Sequence, residues 1–342
     1  MRIPSDFGAV NEVVAGRAGS VAVTLLTDGG VRVADDADTD GESDGRDLEA
    51  LLTTFYAGAR PRGRHDVPVS LFGVGPFVTN ALASHLRAEV RRGGTRWVQE
   101  YARGVALAPP AAAGPASGSG TEITFRPDPE IFETVEFSYD ALGERLRELA
   151  FLNRELDITL TDERDPGGAL RSERLRYPAG ARDFVAFLGG RAGAQPGIIG
   201  FERDDPRMAG TVEVALRWSD SPEEQIRSFA NSRPTPQGGT HEEGFRDGMT
   251  AAVGAYAREQ RLIGPADPGP GAAHVGVGLT AVVSVKLDAP EFHGATHGAL
   301  GGTAVRDRVA ETVREELGAW LGRHPEQAAA VVGRIVRAAR QG

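Results

Sequence analysis

Two α+β domains in series are what the sequence predicts, and three observations predict it. The chain has 342 residues, which at about 100–200 residues per domain is room for two. Apolar residues make up 40% of it, enough for packed cores and too many for a disordered chain. Short apolar or alternating runs are interleaved with segments at helical spacing, and no internal repeat is visible.

Taken in order, residues 9–16 (AVNEVVAG) read as the end of a helix closed by Gly16. Residues 21–26 and 31–33, joined by Thr27-Asp28-Gly29-Gly30, read as a β-hairpin. Residues 35–47 are acidic and Gly-rich and read as a loop. The apolar residues at 48, 51, 52, 55 and 56 give a helix, and a Gly/Pro/Arg-rich loop spans 57–68. The turn Phe72-Gly73-Val74-Gly75-Pro76 leads into a predicted helix over 77–86, then strands to about Arg103. LAPPAAAGPASGSG (107–120) is expected to be a low-complexity loop, followed by a strand at 121–125 and a helix at 138–152. Residues 158–160 and 175–177 pair as a hairpin with a polar tip. The predicted domains are 1–178 and 179–342. In the second, strands at 212–218 and 275–287 alternate with helices at 244–261 and 305–322, and a last helix spans 325–339.

Composition removes whole classes of function. With no Cys there is no disulfide, thiolate metal site or Cys nucleophile. The net charge of −10 lacks the basic footprint of a duplex-binding protein. No apolar run reaches about 18 residues, so no membrane span is expected, and the start MRIPSDFGAV has no signal-peptide pattern, so a soluble cytoplasmic protein is expected. Of the 38 basic residues Lys286 is the only lysine, and it sits in the strand-like run VVSVKL, which rules out a P-loop.

Read alone, the candidate motifs are weak. Gly73-Val74-Gly75 opens a helix and lets backbone N–H groups approach an anion, but a structural turn is the simpler reading. His293 and His297 are four apart, yet Gly294 and Gly298 argue against a helix that would align them on a metal. His241-Glu242-Glu243 is half of a zinc motif with Phe245 where the second His is needed, and no metal site is expected. Asp35 and Asp36, at a strand end, are either an acid/base pair or solvated carboxylates.

Several long segments resemble the bacterial gyrase B family. They are FRPDPEIFETVEFSYDALGERLRELAFLNRELDITLTDERD (125–165), FANSRPTPQGGTHEEGFRDGM (229–249), GLTAVVSVKLDAPEF (278–292) and HPEQAAAVVGRIVRAAR (324–340). The resemblance implies a GHKL (Bergerat) ATPase-type α/β sandwich followed by a ribosomal-protein-S5-like transducer domain, without the module that cuts DNA. It also implies an altered site. Pro4 stands where the family's general-base Glu is expected and Gly8 where its Mg²⁺-binding Asn is expected. In the family's D-x-G-x-G loop, Asp35 matches the adenine-binding carboxylate, but the following residues read Asp36-Ala37-Asp38-Thr39. Thr121 matches the Thr supporting that Asp, Arg92 matches the Arg at the pocket mouth, and Leu51, Leu52 and Ile123 form the apolar floor. The phosphate loop reads Ser70-Leu71-Phe72-Gly73-Val74-Gly75, with two glycines lost and Phe72 replacing His. The transducer's Gln-Thr-Lys reads Ala295-Thr296-His297.

The expectation is a gyrase-B-like protein without Mg²⁺ or ATP hydrolysis that binds an adenine-like or natural-product small molecule, such as an aminocoumarin, as a decoy in self-resistance. The alternatives are a biosynthetic enzyme using Asp35 or Asp36 as acid/base, with Phe72 and Phe77 excluding water, and a regulator pairing with cellular gyrase. A homodimer is a further expected association.

Overall fold

The computed structural model describes residues 18–37, 49, 52–53, 75–165, 167–190, 197–294 and 298–340. The chain divides into two compact units, Met1–Pro178 and Ala179–Gly342.

In the first unit, β1 (Val21–Leu25) and β2 (Val31–Asp35) form an antiparallel hairpin in which Val21 faces Asp35. The turn closes because Asp28 accepts the Gly30 N–H at 2.9 Å and Gly29 adopts φ +81°. A short helix, α1 (Gly75–Ala81), precedes β3 (Ala83–Arg92), β4 (Thr95–Ala102), β5 (Val105–Ala106), β6 (Ala111–Pro115) and β7 (Gly120–Pro127). Helix α2 (Tyr139–Leu152) starts where Ser138 accepts the Ala141 N–H, and leads to β8 (Ile158–Asp162) and β9 (Arg171–Leu175). Among the described residues the strands form one sheet ordered β5-β4-β3-β7-β2-β1-β8-β9, with β6 on β4 and only β1 and β8 parallel. One face is apolar by strand alternation: Val21, Val23, Leu25, Val31, Val33, Leu86, Ala88, Ile123 and Phe125 join Leu146 and Leu149 of α2 in one core.

The sequence-based elements need four corrections here. The predicted helix over 77–86 ends at Ala81, and residues 83–86 begin β3, whose inward Leu86 and Ala88 pair across to Tyr101 and Gln99. The expected loop 107–120 contains edge strand β6, which has weak strand formers but pairs Ala111 and Ala112 with Val98 and Trp97. The second strand of the β8–β9 hairpin lies at Arg171–Leu175 rather than at 175–177. In the second unit, Val275 belongs to a helix rather than to the following strand.

That unit contains α3 (Ala181–Leu188), β10 (Ile199–Asp205), β11 (Gly210–Trp218), β12 (Gln225–Ala230), β13 (Arg233–Pro234), α4 (Thr240–Glu259), α5 (Ala272–Gly276), β14 (Leu279–Leu287), β15 (Phe292–His293), β16 (Ala299–Leu300), α6 (Thr303–Arg323) and α7 (Pro325–Ala339). Its main sheet runs β10-β11-β14-β12-β13. Helices α4 and α6 lie close together because Gly244 and Gly248 carry no side chain: a Cβ on them would lie 2.3 Å from the Arg306 carbonyl oxygen and 2.5 Å from that of Ala310. The expected helices near 9–16 and 48–56 fall wholly or largely outside the described residues.

Candidate functional site

Strand register places three of the sequence-predicted residues together. Ala34 pairs with Glu122, so Asp35 stands opposite Thr121, and Thr121 pairs on its other side with Val90. Paired residues share a face, and alternation puts Asp35 and Thr121 on the face of Val33 and Ile123. The last row of the core face therefore reads Asp35, Thr121, Val90 across β2, β7 and β3. Arg92 follows on the same face of β3, one rung further out. The row beneath is Val33, Ile123, Ala88, and Ile123 and the fully buried Leu52 belong to the core that floors it.

Asp35 is 8% exposed. Its Oδ1 accepts the backbone N–H of Thr121 at 3.2 Å and of Ala37 at 3.1 Å. Thr121 thus supports the carboxylate through its main chain. Gly120 makes this approach possible, since a Cβ there would lie 2.3 Å from the Asp35 carbonyl oxygen. Motif reading passes over Gly120 and Ala37, because their contributions come from backbone position and carry no residue signature.

Asp36 is exposed and differently employed. Its carboxylate accepts from Gly19 N at 2.7 Å, Ser20 N at 2.9 Å and Ser20 Oγ at 3.0 Å. Burial works against ionisation, but the Ser20 and Gly19 N–H groups and the Ser20 hydroxyl outweigh it and hold the carboxyl below its usual range. Asp36 clasps the start of β1, which weighs against an acid/base role. On the rim, Arg92 Nε is buried with no hydrogen-bond partner among the described residues. Leu52 is anchored through its carbonyl, which accepts from Asn80 Nδ2 at 2.9 Å. Gly75 is the first residue of α1. Leu51, Phe72, Gly73 and Val74 lie outside the described residues, as do Pro4, Gly8, Asp38, Thr39, Ala295, Thr296 and His297.

The other motifs lie elsewhere. Lys286 is in β14, paired with Thr211. His241 opens α4, fully buried, with Nε2 3.2 Å from Thr235 Oγ1, and burial pulls its pKa down to about 4. A groove of about 480 Å³ at the far ends of β1 and β8, beside Leu25, Phe137 and Arg164, includes none of the predicted site residues. Among the described residues no group of three or more His, Asp or Glu is placed to hold a metal ion, and no helix is long and apolar enough to cross a membrane.

The similarities to known proteins extend over nearly the whole chain. The family model for DNA gyrase B matches residues 180–342. A novobiocin-sensitive DNA gyrase B of Streptomyces niveus is 37% identical over 358 residues, covering 97% of this chain and 52% of that protein. The DNA gyrase B of Streptomyces coelicolor is 38% identical over 353 residues, with the same coverage. The 43K ATPase domain of Thermus thermophilus gyrase B, solved in complex with an aminocoumarin, superposes with a TM-score of 0.80 at 29% identity, over 97% of this chain and 87% of that one. The chain belongs to the DNA gyrase B family. It spans about half the length of the curated gyrase B proteins it matches. Its fold is that of the gyrase B and topoisomerase IV ATPase domains; the ATP-binding domain of Francisella tularensis topoisomerase IV superposes with a TM-score of 0.77 at 27% identity, over 97% of this chain and 89% of that one.

Proposed function

We propose that this gyrase-B-like chain binds a small molecule at the base-recognising end of the ATPase cleft and does not hydrolyse ATP. On this reading residues 1–178 are a degenerate ATPase-like domain and 179–342 a transducer-like domain. The observation that carries the reading is Asp35, buried and fixed through Oδ1 by two backbone N–H groups, in one sheet row with Thr121 and on the same face as Arg92, which lies two strands away and one rung further out. A carboxylate held this way is a preset acceptor for a ligand N–H, above an apolar floor of Ile123 and Leu52, the usual composition of a ligand pocket. Leu51, Phe72, Gly73, Val74 and Gly75 complete the proposed lining by motif.

Magnesium does not fit the residues present. Pro4 and Gly8, at the motif positions of the general base and the metal-binding amide, have no side-chain donor atom. Ala295 and His297 replace the Gln and Lys that would reach a terminal phosphate. The ligand is therefore adenine-like or a natural product resembling adenine. The aminocoumarin bound by the Thermus thermophilus domain supports an inhibitor-binding, decoy role in the cytoplasm.

Calorimetric titration of the full chain with adenosine and novobiocin, beside a phosphate-release assay with Mg²⁺ and ATP, tests this. The expected result is binding of at least one compound, a loss of more than tenfold on Asp35→Asn, and phosphate release at background. Release that rises with Mg²⁺, or affinity that ignores Asp35→Asn, contradicts it.

A further inference from the structure

The row that holds Asp35 does not end at β3. Val90 pairs with Trp97 of β4, so Trp97 lies on the same face and continues the row. From Asp35 to Trp97 the row crosses three inter-strand steps, about 14 Å at roughly 4.8 Å each. Trp97 is half-buried, and unlike Val90 it is not among the described residues packed against the hydrophobic core of this unit. Among the described residues its ring stacks on no other aromatic group. Its neighbour across β4 and β6 is Ala112, which adds only a methyl group.

Beneath Trp97 the face is sealed. Tyr101 Oη donates to Gln99 Oε1 at 2.6 Å, and Gln99 Nε2 donates to Glu49 Oε2 at 3.0 Å and to the Ala108 carbonyl at 3.1 Å. A molecule at this end would lie along the row, over that seal, rather than dip into the core. Arg92 is on the strand between the two ends, and its buried Nε–H faces no acceptor among the described residues. A buried donor without an acceptor costs free energy that a ligand oxygen would recover.

We infer that Trp97 forms a second subsite, and that the cleft takes an elongated ligand. Its hydrogen-bond-donating head sits on Asp35, an acceptor oxygen meets Arg92 and a second aromatic ring lies on Trp97. This rests on the reading that the Asp35 end binds a ligand. Indole supplies a broad flat surface for ring stacking, so Trp97 selects for length where Asp35 selects for the head.

The test titrates the full chain and its Asp35→Asn, Trp97→Ala and Trp97→Phe variants with adenosine, a short probe, and novobiocin, a long one carrying several rings. Trp97→Ala is expected to weaken novobiocin about tenfold and leave adenosine within twofold, while Trp97→Phe retains most of the novobiocin affinity. Novobiocin is expected to quench tryptophan fluorescence in the native chain and not in Trp97→Phe, because the substitution removes the indole that meets the ligand. A quench that survives Trp97→Phe, or a Trp97→Ala variant that weakens both probes equally or neither, overturns the subsite alone. Asp35→Asn without effect on either probe, or no binding by the native chain, overturns the underlying reading as well.

Discussion

Gly120 is where the geometry of the candidate site is most exposed to a single methyl group. Its φ is +140°, and a Cβ would lie 2.3 Å from the Asp35 carbonyl oxygen and 2.9 Å from Arg91 Nη2. The Arg91 side chain can move aside, but the Asp35 backbone cannot without shifting the β2–β7 register. Gly118 gives an internal control, with φ +76° and no atom within 4 Å of the corresponding position. Gly118→Ala should register backbone strain alone, about 1–2 kcal/mol. Gly120→Ala adds the clash and the loss of the Thr121 N–H bond to Asp35, itself about 1.5–3 kcal/mol for a charged acceptor, so a total near 3 kcal/mol or more is expected. Urea denaturation followed by circular dichroism reads the stability, and titration with novobiocin reads the site. Gly120→Ala should also lose at least tenfold in affinity, while Gly118→Ala binds normally. Equal effects of the two substitutions on both readouts would refute the idea that close backbone approach positions Asp35.

Two further expectations concern stability. His241 is buried neutral, with its pKa lowered from 6.5 to about 4. Between those values the unfolded chain takes up a proton that the folded chain refuses, so stability is complete above about pH 6.5 and falls as pH drops towards 4, by something like 3 kcal/mol. Denaturation midpoints of the native chain and His241→Gln across that range should show a shallower slope in the variant; parallel slopes would place the acid sensitivity elsewhere. Ser138 caps α2 by accepting the Ala141 N–H at 3.2 Å. Ser138→Ala should cost about 1 kcal/mol and Ser138→Asp should retain most of the cap, as read by urea denaturation.

Legibility of the fold followed locality. The β1–β2 hairpin, α2, α4, α6 and α7 show in the sequence because periodicity, a Gly-Gly turn or a cap lies within the element itself. β6 is hidden because its Ala, Gly and Pro residues have no strand preference, and only the partner strand β4 makes them one. β12 is hidden for a related reason: QIRSFA has little alternation, and its parallel partner β14 is about fifty residues away. The apolar run that ends in VVSVKL invites one long strand from Val275. Gly278, at φ +75° and close against the Ser219 and Ser221 carbonyls, instead separates a helical turn from β14. At the site, Asp35, Thr121 and Arg92 are legible as motif residues, and register brings them to one end of one face. Trp97 is not, because its place beside them depends on which residue of β3 it faces. The main-chain role of Thr121 likewise follows from strand pairing rather than from its hydroxyl.

Under the proposed function, base recognition is separated from phosphate handling, and the affinity of ATP relative to adenosine, with and without Mg²⁺, tests that separation most directly. The two compounds are expected to bind within about threefold of each other, with no response to the metal, because Pro4, Gly8, Ala295 and His297 stand at the motif positions that would hold the metal and the terminal phosphate. ATP binding tenfold or more tighter than adenosine, and tighter still with Mg²⁺, would contradict it.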